Sequence, residues 1–202
     1  MEYVLAVTLF AISASITPGP NNILVMTSGV NFGVKRSLPL LTGICVGFAV
    51  MLLLVGLGFS YVFSRYPSLH FVIKCLGVLY LLYLAFVIAF SSAAIEGKEQ
   101  HRPLSFINGA LFQWVNGKAW VVASGAIAAF TSVGGEFSGD NIVIVLTFLL
   151  VSFPCVGVWL MFGSMLKNLL NTANRRRWFN LAMALLLVLS VIPVLKEIVT
   201  AL

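Results

Sequence analysis

The sequence predicts an all-α membrane protein: six transmembrane helices forming two inverted three-helix repeats, with helices 1 and 4 broken near the midplane. Three observations carry this expectation. Hydrophobic residues make up 60% of the 202-residue chain and charged residues 9%, with a mean hydropathy of +1.06. That leaves too little polar surface to solvate a compact soluble domain. Six apolar runs each reach the roughly 20 residues that a helix needs to cross about 30 Å of hydrocarbon, and none alternates as a barrel strand would. Finally, the first and fourth runs carry polar and helix-breaking residues midway along their length.

Span one, residues 3–30, is interrupted by Thr17-Pro18-Gly19-Pro20-Asn21-Asn22. Two prolines remove two amide donors, glycine loosens what is left, and two asparagines put polar atoms where hydrocarbon should be. Opened backbone at membrane depth must face protein or a water-filled cavity, so the segment points to a path for something polar. No removable leader is expected, because the run lacks a basic start and is too long and too interrupted.

The remaining spans are placed at 38–63, 69–91, 105–131, 141–163 and 177–200. Ser37 before Pro39, Ser68 after Pro67, Ser105 after Pro103, Asp140 and Asn174 predict their starts, since short polar side chains accept from first-turn amides. Residues 92–104, with Glu96, Lys98, Glu99, His101 and Arg102, read as a solvated loop between repeats at about 1–91 and 105–202. The whole of 1–202 is then one transport domain.

A net charge of +6 would suggest nucleic acid in a soluble protein. Here the bases sit in short loops, as orientation signals do, and no nucleic-acid partner is expected. Lys35, Arg36, Lys98, Arg102, Lys167, Arg175, Arg176 and Arg177 fall on one side. The other side has Arg65, Lys74 and Lys196, with Glu136 and Asp140 in its remaining loop. The eight-base side is predicted cytoplasmic, which puts both termini outside.

The fourth span repeats the oddity of the first, with Asn108, Gly109, Gln113, Trp114, Asn116, Gly117 and Lys118 in an apolar context. At about 1.5 Å per residue, Pro18 and Lys118 lie roughly 22 and 20 Å from opposite membrane faces, so both motifs fall near the middle. Three spans per half make the second half run upside down, the arrangement of inverted-repeat secondary transporters, whose sites form at discontinuous helices.

Bland readings suffice elsewhere. Pro154, Pro193, Gly43 and Gly47 suit kinks and close packing. Cys45, Cys75 and Cys155, each inside an apolar run, read as small buried hydrophobes. His70, His101 and Lys74 belong to span ends or loops. Tyr61, Tyr66 and Trp178 suit interface anchors, while Trp114, Trp120 and Trp159 divide between belts and packing, with Trp114 a cavity candidate beside the polar motif. Lys118 differs, because a lysine near the midplane costs about 2.5–3.5 kcal/mol on insertion scales.

The candidate substrate-binding residues are therefore Thr17, Pro18, Gly19, Pro20, Asn21, Asn22, Gln113, Asn116 and Lys118. A polar solute that carries a carboxylate needs donors, and one that carries an ammonium needs acceptors. Unpaired amides at Asn21 and Asn22, the helix dipole and Lys118 supply the first; carbonyls ahead of Pro18 and Pro20 supply the second. No ATP-binding motif occurs, so an ion or substrate gradient is the expected energy source.

On these residues the chain resembles the LysE/RhtB family of amino-acid exporters, whose first span carries Pro-Gly-Pro and whose fourth carries Asn-Pro-Lys. Here they stand as Pro18-Gly19-Pro20 and Asn116-Gly117-Lys118, and the likeness extends through Lys74, Gly77, Tyr80 and Tyr83 of span three to the Leu-rich span six. Within the family, TPGPNNIL, the Pro103-Leu104-Ser105-Phe106 start of span four and Leu185-Leu186-Leu187-Val188 resemble the subgroup exporting cysteine and O-acetylserine. The resemblance implies a transporter of the bacterial inner membrane rather than an enzyme, a small amino-acid substrate, proton antiport, no cofactor and no metal. A homo-oligomer is left open.

Two departures bear on mechanism. Gly117 stands where most of the family has proline, which leaves open whether span four is broken or only bent. No Asp or Glu lies inside a span except near its ends, so the proton route falls to Lys118, the substrate or water. The alternatives are a transmembrane redox carrier or a metal-cation exporter of the same superfamily. The first needs a cysteine pair beside the breaks and the second a buried cluster of acidic, His or Met-Cys ligands.

Overall fold

The computed structural model describes residues 2–59, 65–90, 102–131 and 137–200, and every regular element among them is helical. Tyr61, Glu96, Lys98, Glu99, His101 and Glu136 lie outside the described residues. In chain order the helices are α1 (Glu2–Ile16), α2 (Pro20–Phe32), α3 (Val34–Leu54), α4 (Pro67–Phe90), α5 (Phe106–Phe112), α6 (Gly117–Phe130), α7 (Phe137–Leu169) and α8 (Ala173–Thr200). A wider turn, Val55–Phe59, extends α3 and kinks at Gly58, φ 90°, and a 3-10 turn, Gln113–Val115, extends α5.

Four helices contain stretches long and apolar enough to cross a membrane, namely Val34–Gly58, Phe71–Phe90, Gly139–Leu169 and Ala173–Lys196. The pair α1 and α2, bent by 56° at its break, qualifies as a fifth, while α6 is a shorter apolar helix. Val121, Leu150 and Met165 are 75%, 72% and 70% exposed, as side chains facing hydrocarbon would be.

One of the five expected helix starts, Ser105, stands where local chemistry put it, and the other four residues fall inside helices. Ser105 caps α5 by accepting from the Asn108 amide while the Asn108 side chain accepts from the Ser105 amide, a reciprocal capping box. Ser37 is buried inside α3, because Gly33 turns the chain at φ 77° and winding resumes at Val34. A side chain is rarely tolerated at that positive φ, so glycine sets this boundary. The Ser37 hydroxyl donates to the Gly33 carbonyl at 2.9 Å and shares a 2.7 Å bond with Ser28. Ser68, Asp140 and Asn174 lie in the first turns of α4, α7 and α8 rather than ahead of them.

Glycine also decides which helices lie closest, as expected where lipid tails compete with apolar side chains and close backbone approach drives association. A Cβ on Gly29 would sit 2.5 Å from the Leu160 carbonyl oxygen, and Gly163 abuts the Met26 backbone, so α2 and α7 meet backbone to backbone. Gly43, Gly47 and Gly109 do the same for α3 and α5. α3 and α1 also pack on α7, while α4 and α8 pack on each other. One apolar cluster joins Val7, Phe48, Met51 and Phe148, and another joins Leu24, Leu81, Phe112 and Leu187.

Candidate functional site

The first break leaves carbonyls around the end of α1 without helical partners, and side chains donate to three of them. Asn22 Nδ2 donates to the Ser15 and Thr17 oxygens at 3.1 and 2.9 Å, and Trp159 Nε1 of α7 donates to the Ile16 oxygen at 3.0 Å. Gly19 is extended at φ −174° and Pro20 occupies the first position of α2, where its missing amide costs nothing. No side chain caps α2, so the positive end of its dipole is open at Asn21 and Asn22.

The second break is a true interruption. Asn116 takes an extended conformation, φ −85° and ψ 102°, between the 3-10 turn and α6, and its Oδ1 caps α6 by accepting from the Lys118 amide at 3.1 Å. The helical run from Phe106 to Phe130 is therefore broken at Asn116, with Gly117 as the first residue of the new helix.

Three amides stitch the breaks together. Asn21 and Gln113 exchange hydrogen bonds at 2.9 and 3.1 Å, and Asn116 Nδ2 adds a 3.2 Å bond to Asn21 Oδ1. Lys118 crosses from α6, its Nζ donating to the Thr17 carbonyl at 2.7 Å and lying beside Gly19. A Cβ on Gly19 would come 2.9 Å from the lysine Cδ. That glycine keeps the lysine's approach open.

Two cavities meet at this crossing. A niche of about 50 Å³ is bordered by Ser15, Asn22, Cys45, Asn116, Lys118 and Ser152. Asn22 Oδ1, buried on a residue only 3% exposed, has no partner there. An acceptor left without a donor in such surroundings is costly unless something visits it. On the other side of Asn116 and Lys118 lies a chamber of about 450 Å³, mainly apolar, whose walls include Pro20, Gly77, Leu81, Trp114 and Val194.

Of the expected residues, Gly19, Asn21, Asn22, Asn116 and Lys118 border the niche, and Pro20 faces the chamber. Thr17 contributes its carbonyl while its hydroxyl turns back to the Ser13 carbonyl, and exposed Pro18 shapes the break without lining either cavity. Gln113, fully buried, spends its amide on Asn21 and the Gly109 carbonyl. Trp114 both lines the chamber and packs edge-on against Trp120, whose Nε1 donates to the Trp114 carbonyl. Sequence reasoning missed Ser15, Cys45 and Ser152. Ser15 stands two residues before the motif and was open to inspection, but Cys45 and Ser152 come from α3 and α7 and carry no local mark.

The LysE-type translocator family model matches residues 12–194. The chain is 31% identical over 182 residues to the cysteine/O-acetylserine efflux protein of Escherichia coli strain K12, covering 89% of this chain and 90% of that one. It is 32% identical over the same extent to the protein of that name from Salmonella paratyphi A. No solved structure matches. The chain belongs to the LysE-type translocators, a family of membrane transporters and not of enzymes.

Proposed function

We propose that this protein exports small neutral amino acids, cysteine, O-acetylserine or similar, by proton antiport and alternating access. In this reading six spans form two inverted repeats, α1 with α2 and α5 with α6 being the broken members. Both termini face outward from a bacterial inner membrane. The observation that carries the proposal is the crossing of the two breaks: Lys118 Nζ on the Thr17 carbonyl beside the unpartnered Asn22 Oδ1.

A zwitterion suits that arrangement through an exchange of partners. Its carboxylate draws Lys118 Nζ away from Thr17 and meets the uncapped start of α2, where charge-assisted hydrogen bonds are strongest. Its ammonium then donates to Asn22 Oδ1 and to the carbonyl that the lysine released. Pro18, Gly19 and Pro20 hold that backbone open, Asn21, Gln113 and Asn116 fix the second break against it, and Thr17 supplies the shared oxygen. A niche of about 50 Å³ suits a small amino acid's polar head. A dibasic substrate would bring a second positive charge toward Lys118, and the niche offers no carboxylate to offset its desolvation.

Reconstituted transport with competitors tests this directly. Cysteine and O-acetylserine should displace a bound substrate while lysine at the same concentration does not. Lys118→Ala removes a charge-assisted contact worth about 1.5–3 kcal/mol, which weakens binding about 10- to 150-fold and abolishes export. Preferential lysine transport that persists in Lys118→Ala would overturn the proposal.

A further inference from the structure

We propose that the face of α2 carrying Thr27 and Asn31 is the cytoplasmic half of the substrate route, and that the reciprocal amide pair Asn31–Asn180 is the latch that closes it. The inference rests on the export reading above and assigns it a second station for the same zwitterion.

Pro20, Leu24, Thr27 and Asn31 share one side of α2, at successive helical spacings of four, three and four residues. Cavities stand at both ends of that stripe. Pro20 borders the 450 Å³ chamber, whereas Leu24, Thr27 and Asn31 border a second pocket of about 20 Å³ shared with Ile88 of α4 and with exposed Arg102. Between them, Leu24 packs in one apolar cluster with Leu81, Phe112 and Leu187. The route is thus wide on one side of this plug and nearly shut on the other.

The narrow side is lined by polar groups that packing alone does not require. Thr27 is 2% exposed and its hydroxyl has no partner, although a helical threonine ordinarily donates to the carbonyl four residues back. The pocket it borders has room for about one water. At its far end Asn31 Nδ2 donates to Asn180 Oδ1 at 2.9 Å and Asn180 Nδ2 returns a bond to Asn31 Oδ1 at 3.2 Å. Asn180, on α8, is fully buried.

The packing identifies what moves. Glycines press α2 onto α7 and α3 onto α5, backbone to backbone, and those contacts cannot part by side-chain rotation. α2 meets α8 instead through side chains, the apolar cluster around Leu24 and Leu187 and an amide pair whose four hydrogen-bonding groups can all be re-satisfied by water or by a zwitterion. Movement of α8 away from α2 would break the pair, wet the Thr27 hydroxyl and put the Arg102 cation at the mouth, ready for a carboxylate. Closure of the chamber on the other side completes the alternation.

The test uses the full-length protein in proteoliposomes, with Cys45, Cys75 and Cys155 replaced and that background's transport taken as the baseline. Asn31→Cys with Asn180→Cys, cross-linked by copper-phenanthroline or a short bis-methanethiosulfonate, should lower substrate transport more than tenfold, and dithiothreitol should restore it. Full transport with the cross-link formed would sink the latch. Independently, Thr27→Cys should react with a charged, membrane-impermeant methanethiosulfonate from the cytoplasmic side at least fivefold faster when Asn31→Ala and Asn180→Ala are added. Equal labelling rates would also reject it. Because labelling needs no substrate, its acceleration in a protein that transports no amino acid would keep the latch and reject the export reading.

Discussion

At the first break, two prolines flank a glycine and α2 begins with no side-chain cap, so its dipole end and the carbonyls of α1 are left to whatever the rest of the molecule brings. At the second, Asn116 itself caps the helix that follows, its Oδ1 accepting from the Lys118 amide while its Nδ2 ties the break to Asn21. One sequence motif thus makes open backbone, and the other makes closed backbone that aims a lysine. The difference teaches that two interruptions of apolar helices need not do the same work: the proline break supplies acceptors and donors, and the asparagine break supplies the cation that reaches them.

The sharpest way to break the comparison is to close the first break. Pro18→Ala with Pro20→Ala restores two amides, allows α1 and α2 to wind as one helix, and should abolish export while the protein still inserts. Normal export by a correctly inserted double variant would show that the open backbone is not the working part.

A smaller effect is expected at the second break. Asn116→Ala removes a cap worth about 1 kcal/mol together with the bond to Asn21, so thermal stability should fall by a few degrees and transport by several-fold, not to zero. Asn116→Ser keeps an acceptor for the cap and should recover most of the stability but less of the transport. Complete loss of transport at full stability in both would move Asn116 from scaffold to binding group.

The smallest effect is expected for Gly117→Pro. Position 117 opens α6, where proline's fixed φ and absent amide fit. Asn116 already has the extended conformation that a following proline demands. The nearest atom to an added Cβ is 4.0 Å away, on Val194. Stability should be unchanged or rise by up to about 1 kcal/mol, with transport retained. A destabilised Gly117→Pro would mean that the second break needs an amide or a φ that proline lacks.

The comparison also separates what could be read from the chain from what could not. Composition and the lengths of the apolar runs determined that the chain is helical and membrane-embedded, because hydrocarbon permits little besides helices and closed barrels. The first break was determined locally as well, since no partner can restore the amides that Pro18 and Pro20 lack. Local chemistry also placed Ser105 at a helix start, but Ser68, Asp140 and Asn174 lie a few residues inside theirs and Ser37 was misread outright, because the positive φ of Gly33 moved the boundary. Only the tertiary structure decided that the fourth apolar run breaks at Asn116, because glycine at 117 permits a straight helix as readily as a turn and the amide network around Asn21 selects between them. It alone decided that Lys118 spans to Thr17, that Cys45 and Ser152 border the niche, and that Asn31 finds Asn180 across 149 positions of sequence. A residue's backbone tendency is written in its neighbours along the chain. Its hydrogen-bond partner depends on which helices glycine allows to touch, and that is a property of the packed molecule.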